Sequence, residues 1–490
     1  MSSSLKLKTV HGVFWSLLER VGQQGIQAVI FIILARLLLP AQFGLIAMLT
    51  IFMAIAQAFL NSGFGSALIQ KKDATHVDSC SIFYFNIVVG IVAAGLLCLA
   101  APWIAAFYEE PALTALTRFL SLNLVINSFA LIQSTLLVKH VDFKTQLKVS
   151  ITATIISGII GVTLAYRGFG VWSLAIQSVT STLFSTVLLW FFNNWRPSLV
   201  FSFAALKSMF TFGSRLLFSS LIDTVFRNIY LVVIGKIFTA TDLGFYSRAK
   251  SCIRLSAENL TLSVSRVTFP VFSKVQDDIS RLKRGVQKAL TTLVFLNFPL
   301  MTGLLLIAKP LVLVLLTEKW APCVPYLQLL CVMGLLYPLH VINLNVLMAK
   351  GRSDLFLRLE VLKTILVVIA IAISYRWGIT AMIYGQICVS ILGYYLNSYY
   401  TGRLIGYPLR EQVVDLLPYL GMAVAMGIGV HCIGLLPFPN NWTLLISQVL
   451  AGVIIYVALN RIFRTSAFSE IVDLLRDTLK PLMSQFAFLR

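Results

Sequence analysis

The chain has 490 residues, of which 58% are hydrophobic and only 12% are charged, and its formal net charge is +20. A water-soluble domain carries about 25% charged residues, so the composition excludes an ordinary soluble protein. The strict alternation that a transmembrane β-barrel requires is also missing. The sequence therefore predicts an all-α polytopic membrane protein. Its positive charge does not require nucleic acid as a partner, because Lys and Arg collect in the cytoplasmic loops of membrane proteins.

Fourteen apolar stretches follow one another along the chain, and each is long enough to cross a hydrocarbon core of ~30 Å at ~1.5 Å per residue. The first of them is too long for a cleavable signal and has no small-residue cleavage site. We predict transmembrane helices at 11–38, 42–68, 79–105, 113–137, 147–166, 169–192, 208–236, 242–266, 286–308, 322–349, 356–376, 379–402, 413–435 and 443–463.

Basic residues concentrate in every second connection between these helices. Lys139, Lys144 and Lys148 share one such connection. The alternate connections are short; one of them contains Glu109 and Glu110, and the others contain few charged residues. Because the basic side of a membrane protein is cytoplasmic, we predict that both termini lie in the cytoplasm. The short outer loops leave no room for an extracellular catalytic domain.

The chain contains a weak internal repeat with an offset of about 200 residues. Residues 34–45 align with 234–245 without a gap. The matched pairs are Arg36 with Lys236, Gly44 with Gly244, Lys139 with Lys350 and Gln177 with Gln386. Six helices per copy predict two six-helix lobes, 1–200 and 201–405, related by an axis along the membrane normal with a cleft between them. Two additional helices at 406–465 and a cytoplasmic tail at 466–490 complete the predicted organisation.

Several of the predicted helices carry ionisable residues far from their ends. Each such residue costs at least ~2.5–3.5 kcal/mol on insertion scales, so it normally faces a wet cavity or a partner. Basic residues are in excess, which predicts a cationic cleft for an anionic substrate, and arginine suits phosphate because its planar fork donates two parallel hydrogen bonds. The predicted substrate-binding cations are Arg20, Arg118, Arg215, Arg227, Lys250 and Arg254. The predicted uncharged lining of the cleft is Gln23, Gln24, Gln27, Gln57 and Asn61.

Three acidic residues in the same helices have two interpretations. Glu19, Asp223 and Glu258 are candidates for binding H⁺ or Na⁺ during coupled transport. Alternatively, Glu19 and Arg20 only extend towards the membrane surface, and Asp223 forms a structural ion pair with its arginine neighbours. The sequence does not choose between these interpretations.

Motifs for enzymatic chemistry are missing from the sequence. There is no G-x-x-x-x-G-K-[ST] loop for ATP, no G-x-S-x-G and no H-E-x-x-H. The five histidines are dispersed, and the seven cysteines form no C-x-x-C pair. We therefore predict a transporter rather than an enzyme, with no metal site and no organic cofactor.

The N-terminal stretch TVHGVFWSLLERVGQQGIQAVIFIILARLLLPAQFGLIAMLTIF (9–52), then FLNSGFGSALIQKKD (59–73) and DLGFYSRAK (242–250), resemble a known family. It is the polysaccharide-transporter branch of the multidrug/oligosaccharidyl-lipid/polysaccharide exporter superfamily, and within it the Wzx-type exporters of the colanic acid group. The resemblance implies two six-helix lobes around a V-shaped cavity. It also implies alternating access with ion coupling. The implied activity is flipping of an undecaprenyl-pyrophosphate-linked oligosaccharide across the bacterial inner membrane for exopolysaccharide, capsule or O-antigen synthesis.

Other functions compete with this interpretation. A lipid II flippase needs the same basic cleft for its pyrophosphate, whereas a drug antiporter favours an acidic cleft. A membrane polysaccharide polymerase or glycosyltransferase needs long outer loops. Expected partners are the lipid-linked oligosaccharide, membrane lipids, and the polymerase and glycosyltransferases of the same pathway, with no nucleic acid.

Overall fold

The computed structural model of the protein describes residues 22–61, 63–71 and 73–470, without the side chains of Thr211, Phe212, Arg215 and Leu216. Within these residues the chain is helical and contains no β-strand. The helices are α1 (Gly22–Leu37), α2 (Pro40–Asn61), α3 (Phe64–Gln70), α4 (His76–Tyr108), α5 (Ala112–Lys139), α6 (Phe143–Tyr166), α7 (Val171–Phe192), α8 (Phe203–Ile237), α9 (Ala240–Ile253), α10 (Asn259–Lys274), α11 (Ile279–Leu316), α12 (Cys323–Ala349), α13 (Ser353–Ser374), α14 (Gly378–Ile405), α15 (Leu409–Gly434) and α16 (Asn441–Ile462), and helical backbone resumes at 466–470.

Over the described residues, each of the fourteen predicted transmembrane stretches coincides with helical structure, which confirms the all-α polytopic fold. The second predicted stretch is divided into α2 and α3, and the eighth is divided into α9, a π-helical turn and α10. Ten helical segments in this part of the chain are long and apolar enough to cross a membrane by length and composition. The described part of α1 is apolar but short, whereas α13 is long enough but carries several charged residues.

Side-chain caps fix where several helices begin. The Thr75 hydroxyl accepts from the backbone N–H of Asp78, and the Asp78 carboxylate accepts from the N–H of Thr75, so α4 starts with a complete capping box. Asp142 caps α6 and Asp278 caps α11 through their side-chain carboxylates. These short polar residues interrupt the apolar sequence at the helix ends, which is why the boundaries follow from local sequence.

The first of two compact units contains the described residues up to Ser247. Its core includes an aromatic cluster in which the ring centroid of Phe83 lies 5.9 Å from that of Trp190 and 5.7 Å from that of Trp195. The segment after α7 is held against this cluster, since the Tyr84 hydroxyl donates to the Ser198 carbonyl at 3.1 Å. The segment between α7 and α8 is therefore packed against the core of this unit.

The second unit contains the described residues from Arg248 onward. Its core forms around α11, where Leu290 and Leu293 are fully buried. The two additional helices, α15 and α16, belong to this core, because Tyr419, Met426 and Tyr456 pack into it. Their side chains therefore reinforce the unit from inside.

Candidate functional site

The six predicted substrate-binding cations fall in different parts of the molecule. Arg20, together with Glu19, lies outside the described residues, and Arg215 is part of α8 without a described side chain. Arg118 on α5 and Arg227 on α8 are exposed in the first unit. In the second unit Lys250 is half-buried on α9 and Arg254 is exposed.

Arg227 and Asp223 form an ion pair one turn apart on α8. The Arg227 Nε lies 2.8 Å from the Asp223 carboxylate, and both side chains are largely exposed, at 61% and 59%. Each charge thus has a partner within its own helix, as an ionisable residue in a membrane-spanning helix normally requires. The structure therefore contains the ion pair that the sequence offered as the alternative role for Asp223.

A π-helical turn, Arg254–Glu258, separates α9 from α10. The backbone N–H of Asn259 donates to the Arg254 carbonyl five residues earlier, which is the hydrogen bond of a π-helix. Single π-turns inside α-helices occur frequently at functional sites. This one contains two of the residues that the sequence singled out, the cation Arg254 and the acid Glu258.

The π-turn changes the register of this helix. A continuous α-helix would place Ser265 on the same face as Lys250 and Arg254. Instead the Asn345 Nδ2 of α12 donates to the Ser265 hydroxyl at 2.6 Å, so Ser265 is part of a helix–helix contact. The π-turn therefore separates Lys250 and Arg254 from Ser265, although their spacing would align them in a continuous α-helix.

An apolar groove of about 350 Å³ begins at this turn within the second unit. Its wall comes mainly from α11, α15 and α16, including Leu296, Gly303, Met426 and Val453, and Ser256 of the π-turn reaches it. The same five-residue turn thus contains an exposed arginine, Arg254, and, two residues later, a residue that lines an apolar groove.

The predicted uncharged lining is only partly brought together. Gln23 and Gln24 are half-buried on α1, whereas Gln27 is exposed. On α2 the Gln57 Nε2 donates to the Asn61 Oδ1 at 3.3 Å. Gln57 also lines a separate polar cavity with residues of α5 and α7 that the sequence did not single out.

Two further polar clusters were not predicted from the sequence, and both lie in the second unit. The His340 Nε2 lies 2.9 Å from the Ser390 hydroxyl, and the Asn397 Nδ2 lies 3.1 Å from the His340 Nδ1. On the same helix as His340, the amide of Asn343 exchanges two hydrogen bonds of 3.1 and 3.0 Å with that of Gln412. The only sequence signal was the three-residue spacing of His340 and Asn343 on one helix face, because their partners come from distant helices.

One ion pair joins the end of α4 to the end of α8 in the first unit. The Lys236 Nζ donates to the Glu109 Oε1 at 2.7 Å, and Lys236 also lies 5.6 Å from the Phe107 ring centroid. This hydrogen bond and the ammonium charge hold the pKa of the Glu109 carboxyl below its usual range. The pair links two helix ends that are 127 residues apart in the sequence.

The family model and three curated relatives that match this chain are described as proteins of polysaccharide biosynthesis or transport. The family model described as "Polysaccharide biosynthesis protein" matches residues 33–325. The chain is 29% identical over 440 residues to the lipopolysaccharide biosynthesis protein WzxC of Escherichia coli K12, covering 87% of this chain and 89% of WzxC. It is 29% identical over 357 residues to the teichuronic acid biosynthesis protein TuaB of Bacillus subtilis 168, covering 72% and 73%. It is 28% identical over 341 residues to the succinoglycan biosynthesis transport protein ExoT of Rhizobium meliloti 1021, covering 69% of each.

Two solved structures share the fold. The lipid II flippase MurJ, in an inward closed conformation, superposes with a TM-score of 0.72 at 14% identity, over 93% of this chain and 98% of that one. An inward-facing multidrug resistance transporter of the MATE family, in the MOP superfamily, superposes with a TM-score of 0.63 at 15% identity, over 78% and 95%. The chain thus has the all-α fold that these two membrane proteins share.

Proposed function

The chain belongs to the polysaccharide biosynthesis protein family, and from that premise we propose that it is a flippase for a lipid-linked oligosaccharide. The substrate would be an undecaprenyl-pyrophosphate-linked repeat unit on its way to exopolysaccharide, capsule or O-antigen. The protein would lie in the bacterial inner membrane with both termini in the cytoplasm, and would move the unit by alternating access. It carries its substrate across without chemical change.

The π-turn of the second unit is the observation that carries this proposal. A polyprenyl pyrophosphate is an anionic group joined to a long apolar chain, so its site needs a cation beside an apolar surface. Arg254 is exposed on the π-turn, and Ser256, two residues later, lines the apolar groove along α11, α15 and α16. We infer that Arg254 contacts the pyrophosphate and that the groove receives part of the lipid chain.

The remaining predicted cations have a supporting role in the proposal. Lys250 lies one helical turn before Arg254, and Arg20 and Arg215 belong to transmembrane stretches that the sequence predicts at equivalent places in the repeat. We propose that these residues and Arg118 supply further positive charge for the headgroup. Glu258, within the same π-turn as Arg254, is our candidate for coupling transport to H⁺ or Na⁺.

A deletion strain of the source bacterium tests the proposal. Loss of the gene should remove surface polysaccharide and leave the lipid-linked unit on the cytoplasmic side. The double variant Arg20→Ala/Arg254→Ala should fail to restore polymer at normal expression, whereas Arg358→Ala, an exposed arginine on α13, should restore it. Full restoration by the double variant would exclude the proposed roles of both arginines.

The rival functions need separate assays. Complementation of a strain that lacks its lipid II flippase would show that the protein carries lipid II. Transfer of a labelled sugar to a lipid acceptor by the purified protein would show a glycosyltransferase. We expect neither activity, because the family model and relatives such as WzxC and ExoT belong to polysaccharide biosynthesis.

A further inference from the structure

An uncharged polar cavity of about 240 Å³ lies in the first unit between α2, α5 and α7. We call it the amide pocket, and the side chains that define it are Gln57, Asn123, Asn127, Ser181 and Ser185. Asn123 and Asn127 are four residues apart on α5, and Ser181 and Ser185 are four residues apart on α7. Each pair therefore faces the pocket from one side of its helix.

The amide pocket lies far from the ends of its helices. Asn123 is 11 residues beyond Ala112, the first residue of α5, and Ser181 is 10 residues beyond Val171, the first residue of α7. At ~1.5 Å per residue these positions are roughly 15 Å from the helix ends, about the middle of a ~30 Å hydrocarbon core. Polar groups at this depth are costly unless they have partners.

Several polar atoms of the pocket lack partners. Asn123 is 8% exposed; its Nδ2 donates to the Ser178 hydroxyl at 3.2 Å, but its buried Oδ1 has no hydrogen-bond partner in the described part of the chain. Within the same described residues the side chains of Asn127, Ser181 and Ser185 make no hydrogen bond either. Free amides and hydroxyls both donate and accept, so the pocket has unused capacity of both kinds.

The absence of charge among the described residues of the wall restricts the ligand. A pyrophosphate or carboxylate would be buried without a cation, and an ammonium group without an anion, and each would lose its hydration energy without compensation. A sugar ring fits this environment, because its hydroxyl groups donate and accept hydrogen bonds and carry no charge. The pocket has room for one ring rather than for a disaccharide.

We propose that the amide pocket is a subsite for one neutral sugar ring of the carried oligosaccharide, an inference that rests on the proposed flippase function. The carbonyl of Asn123 accepts from one ring hydroxyl, and Asn127 with Ser185 holds a neighbouring one. The subsite rejects a uronic acid, whose carboxylate finds no cation in the described wall.

The test uses the full-length protein in lipid nanodiscs and saturation-transfer NMR. The probes are the methyl glycosides of glucose, galactose, N-acetylglucosamine and glucuronic acid, with inorganic pyrophosphate as a separate probe. At least one neutral glycoside should bind the wild type, and the glucuronide should not. Asn127→Leu/Ser185→Ala should bind the neutral glycoside about tenfold or more weakly, since two hydrogen bonds are lost.

Asn86→Leu is the matched control. Asn86 on α4 is also buried, at 3% exposure, and its Oδ1 also has no partner in the described residues, but it does not line the pocket. This variant should bind the glycoside as the wild type does. Ser185→Val, which fills the pocket with a small apolar group, replaces the double variant if the latter unfolds in a thermal-shift assay.

The outcomes separate the subsite from the proposed function. Equal glycoside binding by the wild type and both pocket variants would overturn the subsite, as would binding of the glucuronide as tightly as the neutral sugars. Failure of every neutral glycoside to bind would also overturn the subsite. In that case, a rise in the melting temperature with Na⁺ in the wild type but not in the double variant would identify the pocket as a cation site.

Pyrophosphate binding gives the second readout. Loss of pyrophosphate binding in Arg254→Ala, with glycoside binding intact, would support both sites as distinct. Glycoside binding with no pyrophosphate binding in the wild type would support the subsite and count against the proposed headgroup contact.

Discussion

Gly44 and Gly244 make the same backbone contact from opposite sides of one helix crossing. A Cβ atom on Gly44 would lie 1.7 Å from the carbonyl oxygen of Ala240, and a Cβ atom on Gly244 would lie 2.1 Å from the carbonyl oxygen of Pro40. Pro40 and Ala240 are themselves the first residues of α2 and α9. The contact is thus reciprocal, and its two halves are one repeat, 200 residues, apart.

Replacing either glycine by alanine should destabilise the protein. The obstacle is a backbone carbonyl rather than the end of a flexible side chain, so the helices must separate, at a cost of about 1–3 kcal/mol. The melting temperature of Gly44→Ala and of Gly244→Ala in nanodiscs measures the effect. Gly95→Ala is the control, because a Cβ atom added to this glycine of α4 would meet no other atom within 4 Å. If all three variants melt together with the wild type, the tight crossing does not exist.

The equivalence of Gly44 and Gly244 at this crossing was predictable from the sequence repeat. The alignment of Gly44 with Gly244 needed only a constant offset, and a glycine is required wherever two backbones come this close. The helix starts were predicted less well: the stretches predicted to begin at 79 and 286 begin at His76 and Ile279, because hydropathy does not register the polar first turn that follows the caps Thr75 and Asp278. Long apolar stretches completed the prediction of fourteen helices.

Pairings between distant helices were not predictable in this way. Asn343 and Gln412 are 69 residues apart, and nothing in either local sequence indicates that they meet. The π-turn at Arg254 was missed because hydropathy does not register one extra residue in a helical turn. The neighbours of Gln57 in the amide pocket were missed because they come from α5 and α7, which are distant from α2 in the sequence.

Lys139 and Lys350, another repeat pair, have equivalent roles in the two units. The Lys139 Nζ donates to the carbonyls of Leu68 and Lys71 at 2.9 and 3.0 Å, near the end of α3. The Lys350 Nζ donates to the Gln276 carbonyl at 2.8 Å, just beyond the end of α10. Each ammonium therefore satisfies carbonyls that a helix end leaves without a partner.

Lys139→Met and Lys350→Met should each lower stability by roughly 1–3 kcal/mol, because they remove hydrogen bonds from a charged donor. Thermal unfolding in nanodiscs provides the measurement. Lys148→Met and Lys274→Met are the controls, since both lysines are exposed on neighbouring helices. A larger loss in the controls than in the two test variants would contradict the capping role.

The amide pair of Asn343 and Gln412 anchors α15 to α12. Gln412 is fully buried, and its Nε2 also donates to the Tyr407 carbonyl at 3.0 Å, while the Tyr394 hydroxyl donates to its Oε1 at 3.1 Å. Gln412→Leu should cost about 1–3 kcal/mol because it leaves the Asn343 amide without its partner. Asn343→Leu should lower the free energy of unfolding much less in the Gln412→Leu variant than it does in the wild type. A double-mutant cycle of unfolding free energies tests this coupling, and strictly additive effects would show that the pair does not interact.

The Glu109–Lys236 pair should make the stability of the protein depend on pH in the acidic range. The pKa of Glu109 is lowered in the folded protein, so its contribution is present above the unfolded pKa of about 4.3 and is lost as the pH falls through the lower folded value. Glu109→Gln should therefore melt slightly below the wild type at pH 7 and together with it in strong acid. Glu110→Gln is the control, since Glu110 makes no ion pair within the described residues. A difference between Glu109→Gln and wild type that grows as the pH falls would have the wrong sign.

The π-turn provides the sharpest test of how the second unit positions Arg254. Inserting one alanine between Leu255 and Ser256 should rotate Lys250 and Arg254 by about 100° relative to α10. Since α10 stays fixed by contacts such as that of Ser265 with Asn345, the arginine should leave its present orientation relative to Ser256 and the groove. We expect the insertion variant to enter the membrane and fold but to export little or no polysaccharide. Deletion of Leu255 is the control, because it replaces the π-turn by an α-helical turn in which the Asn259 N–H still donates to the Arg254 carbonyl; the register is kept and export should be normal. Normal export by the insertion variant would mean that the position of Arg254 relative to the groove does not matter for transport.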